Sequence, residues 1–218
     1  MKLAHALFLP VLALALSATT ASAVCPTTSH IGSDAAFLSI QPEAGVACVA
    51  EGRIGDRSGA ATFELDLGQS TAAPATTAQY GWVSGQAEPF TLSYSNVTGV
   101  VTFQLGGQTL AYSPAGTFTD IFLRTRASLA GTQVTVTDLV LDGCVIADQS
   151  NAVGPGLDYL RLQGVDLMAG FTLTGSATMS WAASPPSQSN LAFQVKVGTP
   201  APPVPAVTSS WGGVKARF

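Results

Sequence analysis

Between Gly170 and Trp181 the chain alternates without a break. Phe171, Leu173, Gly175, Ala177, Met179 and Trp181 fall in one phase, and Thr172, Thr174, Ser176, Thr178 and Ser180 in the other. A period of two places these sets on opposite faces of a β-strand. A helix would scatter the same residues around its axis. Threonine in the solvent phase also favours strand. The small Gly175 and Ala177 predict a bend, or close approach by another element, in mid-strand. Leu191, Phe193, Val195 and Val197 repeat the pattern, with Ala192, Gln194 and Lys196 expected to face out.

Earlier segments obey the same rule. Phe63, Leu65 and Leu67 alternate with Thr62, Glu64 and Asp66; Phe90, Leu92 and Tyr94 alternate with Thr91, Ser93 and Ser95; Val101, Phe103 and Leu105 alternate with Thr102 and Gln104. Thr119–Arg126, the run from Val134 towards Asp142-Gly143, and Tyr159–Gln163 are further strands. Val97-Thr98-Gly99 and Gly106-Gly107 predict hairpin turns. Turn signals recur every 8–12 residues or so, the spacing of sandwiches and barrels. No segment beyond the leader shows a 3.6-residue apolar stripe; a short helix in Asp148–Leu157 is opposed by Gly154-Pro155-Gly156. The fold class is therefore all-β: an antiparallel β-sandwich of nine to eleven strands, jelly-roll-like or Ig-like, with a closed β-barrel as the alternative.

The ends differ from this middle. Lys2, the apolar run Leu3–Leu16 and Ala21-Ser22-Ala23 form a secretory signal-peptide pattern over residues 1–23, with cleavage expected before Val24. The apolar run is shorter than the roughly 20 residues of a membrane span. Residues 24–59 are Gly-rich, with Phe37–Ile40 and Val46–Val49 as strand candidates; residues 60–198 are the sandwich domain. Residues 199–218 are a Pro-rich spacer and a short tail ending Lys215-Ala-Arg-Phe218, with no apolar span. The protein is expected to be exported, extracellular or on the cell surface.

Three cysteines follow the leader: Cys25, Cys48 and Cys144. An oxidising compartment permits one intrachain disulfide and leaves one thiol over. The preferred pair is Cys25–Cys48, contributing roughly 3 kcal/mol by loop closure, with Cys144 a small buried residue. Cys48–Cys144 is the alternative.

Chemistry is constrained by what is missing. His5 and His30 are the only histidines, and none lies between Ala60 and Gly198. No Cys/His spacing suits zinc. A glycosidase needs facing carboxylates, for which Glu64, Asp66 and Glu88 are the candidates; a Ser nucleophile needs a base, and His30 stands in no triad motif. The sequence therefore reads as non-catalytic, with no bound cofactor. Asp138, Asp142 and Asp148 near a turn are the candidate Ca²⁺ ligands, although no D-x-D-x-D-G loop is present. Nine basic against 13 acidic residues exclude nucleic acid as partner. Charged residues are 10% of the chain, where about 25% is usual, so Thr, Ser, Gln and Asn must supply the polar surface. Arg124 with Arg126, and Glu64 with Asp66, are expected to form ion pairs on a solvated face. Tyr80 and Trp82, in a Gly-flanked segment, are the candidate ligand-stacking residues; Tyr94 and Trp181 are in phase with the core. Expected partners are cell-envelope or extracellular components, glycans among them.

Several blocks resemble a family of bacterial exported proteins, the choice-of-anchor domains, type W. They are Phe63-Glu-Leu-Asp-Leu-Gly68, Gln79-Tyr-Gly-Trp82, Thr119-Asp-Ile-Phe-Leu-Arg-Thr125, Asp138-Leu-Val-Leu-Asp-Gly143, Gly170-Phe-Thr-Leu-Thr-Gly175 with Met179-Ser-Trp181, and Asn190-Leu-Ala-Phe-Gln-Val-Lys-Val-Gly198. The resemblance covers Ala60–Gly198. It implies a domain set between a leader and an interchangeable C-terminal sorting signal, and it supplies no catalytic residues. The tail here lacks the apolar helix and terminal basic cluster of a common sorting segment.

Overall fold

The computed structural model describes residues 24–42, 45–55 and 64–201. The expected leader and the chain from residue 202 onward lie outside these residues, as does Phe63. In chain order the elements are β1 (Thr27–Ile31), α1 (Asp34–Ile40), β2 (Val46–Arg53), β3 (Leu65–Gly68), β4 (Thr76–Ala78), β5 (Ala87–Ser95), β6 (Val100–Leu105) and β7 (Gln108–Tyr112). They continue with β8 (Asp120–Ala127), β9 (Thr132–Leu141), β10 (Cys144–Val145), β11 (Ser150–Val153), β12 (Gly156–Gln163), β13 (Phe171–Trp181) and β14 (Leu191–Gly198). The strands beyond the expected nine to eleven are mostly short pieces, such as β4 and β10, too short to show alternation.

All strand pairs are antiparallel. Sheet 1 runs β1-β12-β8-β14-β2-β3-β4, and sheet 2 runs β10-β9-β13-β5-β6-β7, with β11 also on β9. Neither sheet closes on itself, so the fold is the expected sandwich and not the barrel. Gly106-Gly107 makes the β6–β7 turn with both residues at positive φ, +56° and +78°. Gly175 is a place of close approach, as the alternation predicts: a Cβ there would lie 2.8 Å from Leu139 and 2.9 Å from the Phe90 ring. The β13–β9 register shifts at the same point.

The inner phases of both sheets form one core, which joins them through aromatic contacts. Phe193 of β14 in sheet 1 meets the rings of Phe90 and Phe103 in sheet 2 at centroid distances of 5.5 and 6.4 Å. β1 and β2, read from sequence as part of a separate Gly-rich segment, lie within sheet 1, where β2 takes an interior position.

Three expectations are corrected. Phe37–Ile40 belongs to a helix. Ser33 caps it, its side chain accepting from Ala36 N at 3.1 Å, and Phe37 is its buried residue. Seven residues are too few to display a 3.6-residue stripe. The helix covers part of the outer face of sheet 1: Phe37 stacks on Tyr159 at 4.4 Å and meets Phe122 edge-on at 5.1 Å. In the outward phase of β14, Ala192 and Gln194 are buried, to 2% and 7% exposure, and Lys196 is half-buried with its ammonium over the Phe37 ring. Asp148–Leu157, where the Gly154-Pro155-Gly156 run argued for a loop over a short helix, instead holds β11 and the start of β12.

The disulfide is the third correction. Cys25 pairs with Cys144, and Cys48 is a free, buried thiol. Cys48 sits on the inner phase of β2, fully enclosed in the core, whereas Cys25 precedes β1 at the rim of sheet 1. Cys144 begins β10 at the rim of sheet 2. The bond therefore staples the two sheets along one side. It closes a loop of 119 residues, worth on the order of 4–5 kcal/mol in the chain-entropy model.

Phe193→Ala removes the ring on which the two sheets meet. We expect a loss of about 3–5 kcal/mol in urea unfolding. A loss below about 1 kcal/mol would show that the sheets are held elsewhere.

Candidate functional site

The segment between β4 and β5 crosses from sheet 1 to sheet 2 at one end of the sandwich and carries Tyr80 and Trp82. Both are half-buried. The Tyr80 ring lies against the backbone of Gly106, where any Cβ would run into it. Trp82 meets Tyr80 edge-on at 5.0 Å and Phe193 edge-on at 6.1 Å. It also passes over Gly52, where a Cβ would stand 2.9 Å from the indole. The pair is thus wedged into the sandwich end, where sequence reading expected two rings standing clear in solvent. Trp181, expected in the core, comes to the same place. With Glu64 and Pro185 these rings line a cleft of about 280 Å³.

The polar groups of the cleft are few. Glu64 Oε2 accepts from Gly55 N at 2.7 Å. The Trp82 indole N–H is buried without an acceptor among the described residues. Burial, and then the nearby Glu88, push the Tyr80 phenol up to about 12, so it remains a neutral donor at physiological pH. Aromatic walls with a carboxylate suit a polar ring-shaped ligand.

A second cluster lies on the outer face of sheet 1. Gln194, Glu51 and Asp66 occupy directly opposed positions on β14, β2 and β3. Arg53 Nη1 donates to Glu51 Oε2 at 3.1 Å and stands 3.8 Å from Asp66; Gln194 Nε2 donates to Glu51 Oε1 at 2.6 Å. Asp66 is fully buried, and neither of its oxygens has a hydrogen-bond partner among the described residues. Burial, and then the charge of Glu51, raise its carboxyl to about 8. Alternation had assigned Asp66 to a solvated face. That expectation fails at Asp66, which is fully buried on the outer face of sheet 1. Arg124, expected on the same kind of face, is also buried; it binds Asp34 of α1 at 3.0 and 3.1 Å, while Arg126 is exposed. Of the three glycosidase candidates, Glu64 lines the cleft, Asp66 lies in this cluster, and Glu88 accepts from Gln86 at 2.5 Å.

The aspartates considered for Ca²⁺ are used separately. Asp142 Oδ1 accepts from Thr172 N, and Asp138 takes a positive φ with its carboxylate bound to Thr137. Asp148 pairs with His30, and no metal-binding group of three acidic, Cys or His side chains gathers among the described residues. The sequence placed His30 in no motif because its partners lie 118 and 128 residues away. Its Nε2 is 3.0 Å from Asp148 and its Nδ1 2.9 Å from Asp158, so both ring nitrogens face carboxylates. Ser150 links Asp158 to Thr125 of β8. The His30 clamp and the disulfide together hold β1 against the sandwich.

These groups fix the pH dependence. Hydrogen bonds from Asp158 and then Asp148 raise the His30 pKa above 6.5, so its contribution is complete below 6.5 and is lost as pH rises through the raised value. Asp148 is lowered below 3.8 by His30, so its share is lost only in strong acid. Asp66, raised to about 8, makes the folded state progressively less favourable from about pH 4 to 8. We expect the unfolding midpoint to fall from pH 5 to pH 9. Asp66→Asn should flatten most of this fall, and His30→Gln a smaller part because the imidazole is half exposed. Denaturation of the three proteins at both pH values checks this; an unchanged slope in Asp66→Asn would remove Asp66 as its source.

No protein-family model matches this chain, and no curated protein is similar to it.

Proposed function

We propose that this chain is an exported bacterial β-sandwich protein, extracellular or on the cell surface, with a non-catalytic structural or interaction role. The choice-of-anchor resemblance of Ala60–Gly198 belongs to this reading. The observation that carries it is the Cys25–Cys144 disulfide. It joins the rims of the two sheets and is at home in an oxidising compartment, where the leader pattern of residues 1–23 would deliver the chain. No helix among the described residues is long and apolar enough to cross a membrane. A second reading, an extracellular carbohydrate-binding module, is favoured by the cleft of Tyr80, Trp82 and Trp181.

Fractionation of producing cells, with non-reducing electrophoresis, tests the proposal. The chain is expected outside the cytoplasm, shortened by the leader and oxidised. A full-length, reduced chain in the cytoplasm would overturn it. Deleting the residues after Gly198 separates the two locations: release by the deletion assigns attachment to the tail, and equal release of both forms assigns free secretion.

A further inference from the structure

The outward face of sheet 2 differs from the rest of the surface. β13, β5, β6 and β7 together carry one charged residue, Glu88, and that residue is buried on the inner phase. Outward positions are hydroxyls and amides in register. Thr174, Thr91, Gln104 and Thr109 form one row across the four strands, and Thr172, Ser93 and Thr102 form the next. None of these side chains makes a hydrogen bond among the described residues, and each is exposed or half-exposed. Strand spacing and the period of two set the groups on a grid of about 4.8 by 6.7 Å. A shallow groove of about 510 Å³ follows the end of this face, lined by Pro89, Thr91, Gln104 and Thr109, with the largely buried Glu88 at its edge.

A charged partner docking here would lose hydration with no opposite charge to offset it. An apolar partner would strand the hydroxyls in the same way. A neutral polymer with regularly spaced hydroxyls meets neither penalty, because its groups exchange hydrogen bonds with the grid. We propose that this face binds an uncharged polysaccharide laid across β13, β5 and β6. The proposal rests on the interaction role given above, but not on the aromatic cleft, which lies at the sandwich end.

Affinity electrophoresis of the oxidised exported chain tests it, using native gels with soluble neutral β-glucan or galactomannan and polygalacturonate as the charged counterpart. We expect retardation by a neutral polymer and not by polygalacturonate. The double variant Thr91→Lys/Thr174→Lys should bind at least tenfold more weakly; Gln104→Lys, at an exposed position of β6, is a second variant should the double one fail to fold. Pro185→Ser at the cleft should bind as the parent does. No retardation by either neutral polymer, equal retardation by polygalacturonate, or parental binding in folded Lys variants would overturn the proposal. Loss in Pro185→Ser alone would also overturn it and move binding to the cleft. Failure of the export reading shows independently, in fractionation.

Discussion

Arg124 reaches from β8 and grips Asp34 through two parallel hydrogen bonds, while the Tyr159 hydroxyl donates to the same carboxylate at 2.6 Å. That contact docks α1 on sheet 1 and brings Phe37 over Tyr159 and Phe122. In the middle of sheet 1 the outward-facing Arg124, Gln194, Glu51 and Asp66 are buried as well as the inner phase, which an antiparallel sheet does not require. The polar residues of those strands must then satisfy one another. Arg124 does so with Asp34, and Gln194 and Arg53 do so with Glu51. Asp66 is left with a raised proton affinity.

The two sheets are therefore unlike in what they bury and what they show. Sheet 1 buries Glu51, Asp66, Asp120 and Arg124, an arrangement that gives little net stability because desolvation opposes the Coulombic gain. Sheet 2 carries only Glu88 and Asp138 on its strands and turns hydroxyls outward. The contrast follows from a chain with few charged residues, most of whose strand-borne charge is spent on one sheet. At the rims the sheets are fastened by unrelated means: the Cys25–Cys144 bond and the β11 bridge on one side, and contact of β4 with β7 on the other.

Strand positions were legible because alternation is a local property. β13, β14, β5 and β6 fall where the apolar phase places them, and the turns at Gly99, Gly106-Gly107 and Asp142-Gly143 show the positive φ that such residues supply. The candidate site was half legible. Tyr80 and Trp82 do share one place, but Trp181 and Glu64 join them only because the ends of β13 and the approach to β3 meet there. The His30 clamp was invisible, since nothing in the residues around position 30 marks carboxylates more than a hundred residues away.

By itself, then, the sequence determined the all-β class, the inner phase of most strands and the scarcity of charge, because each follows from residue type and a period of two. Only the tertiary structure decided which cysteines meet, which outer face is covered, and hence whether an alternating polar residue is solvated. Those outcomes depend on which strands become neighbours. Alternation fixes the two faces of a strand, but it carries no information about what lies against either of them.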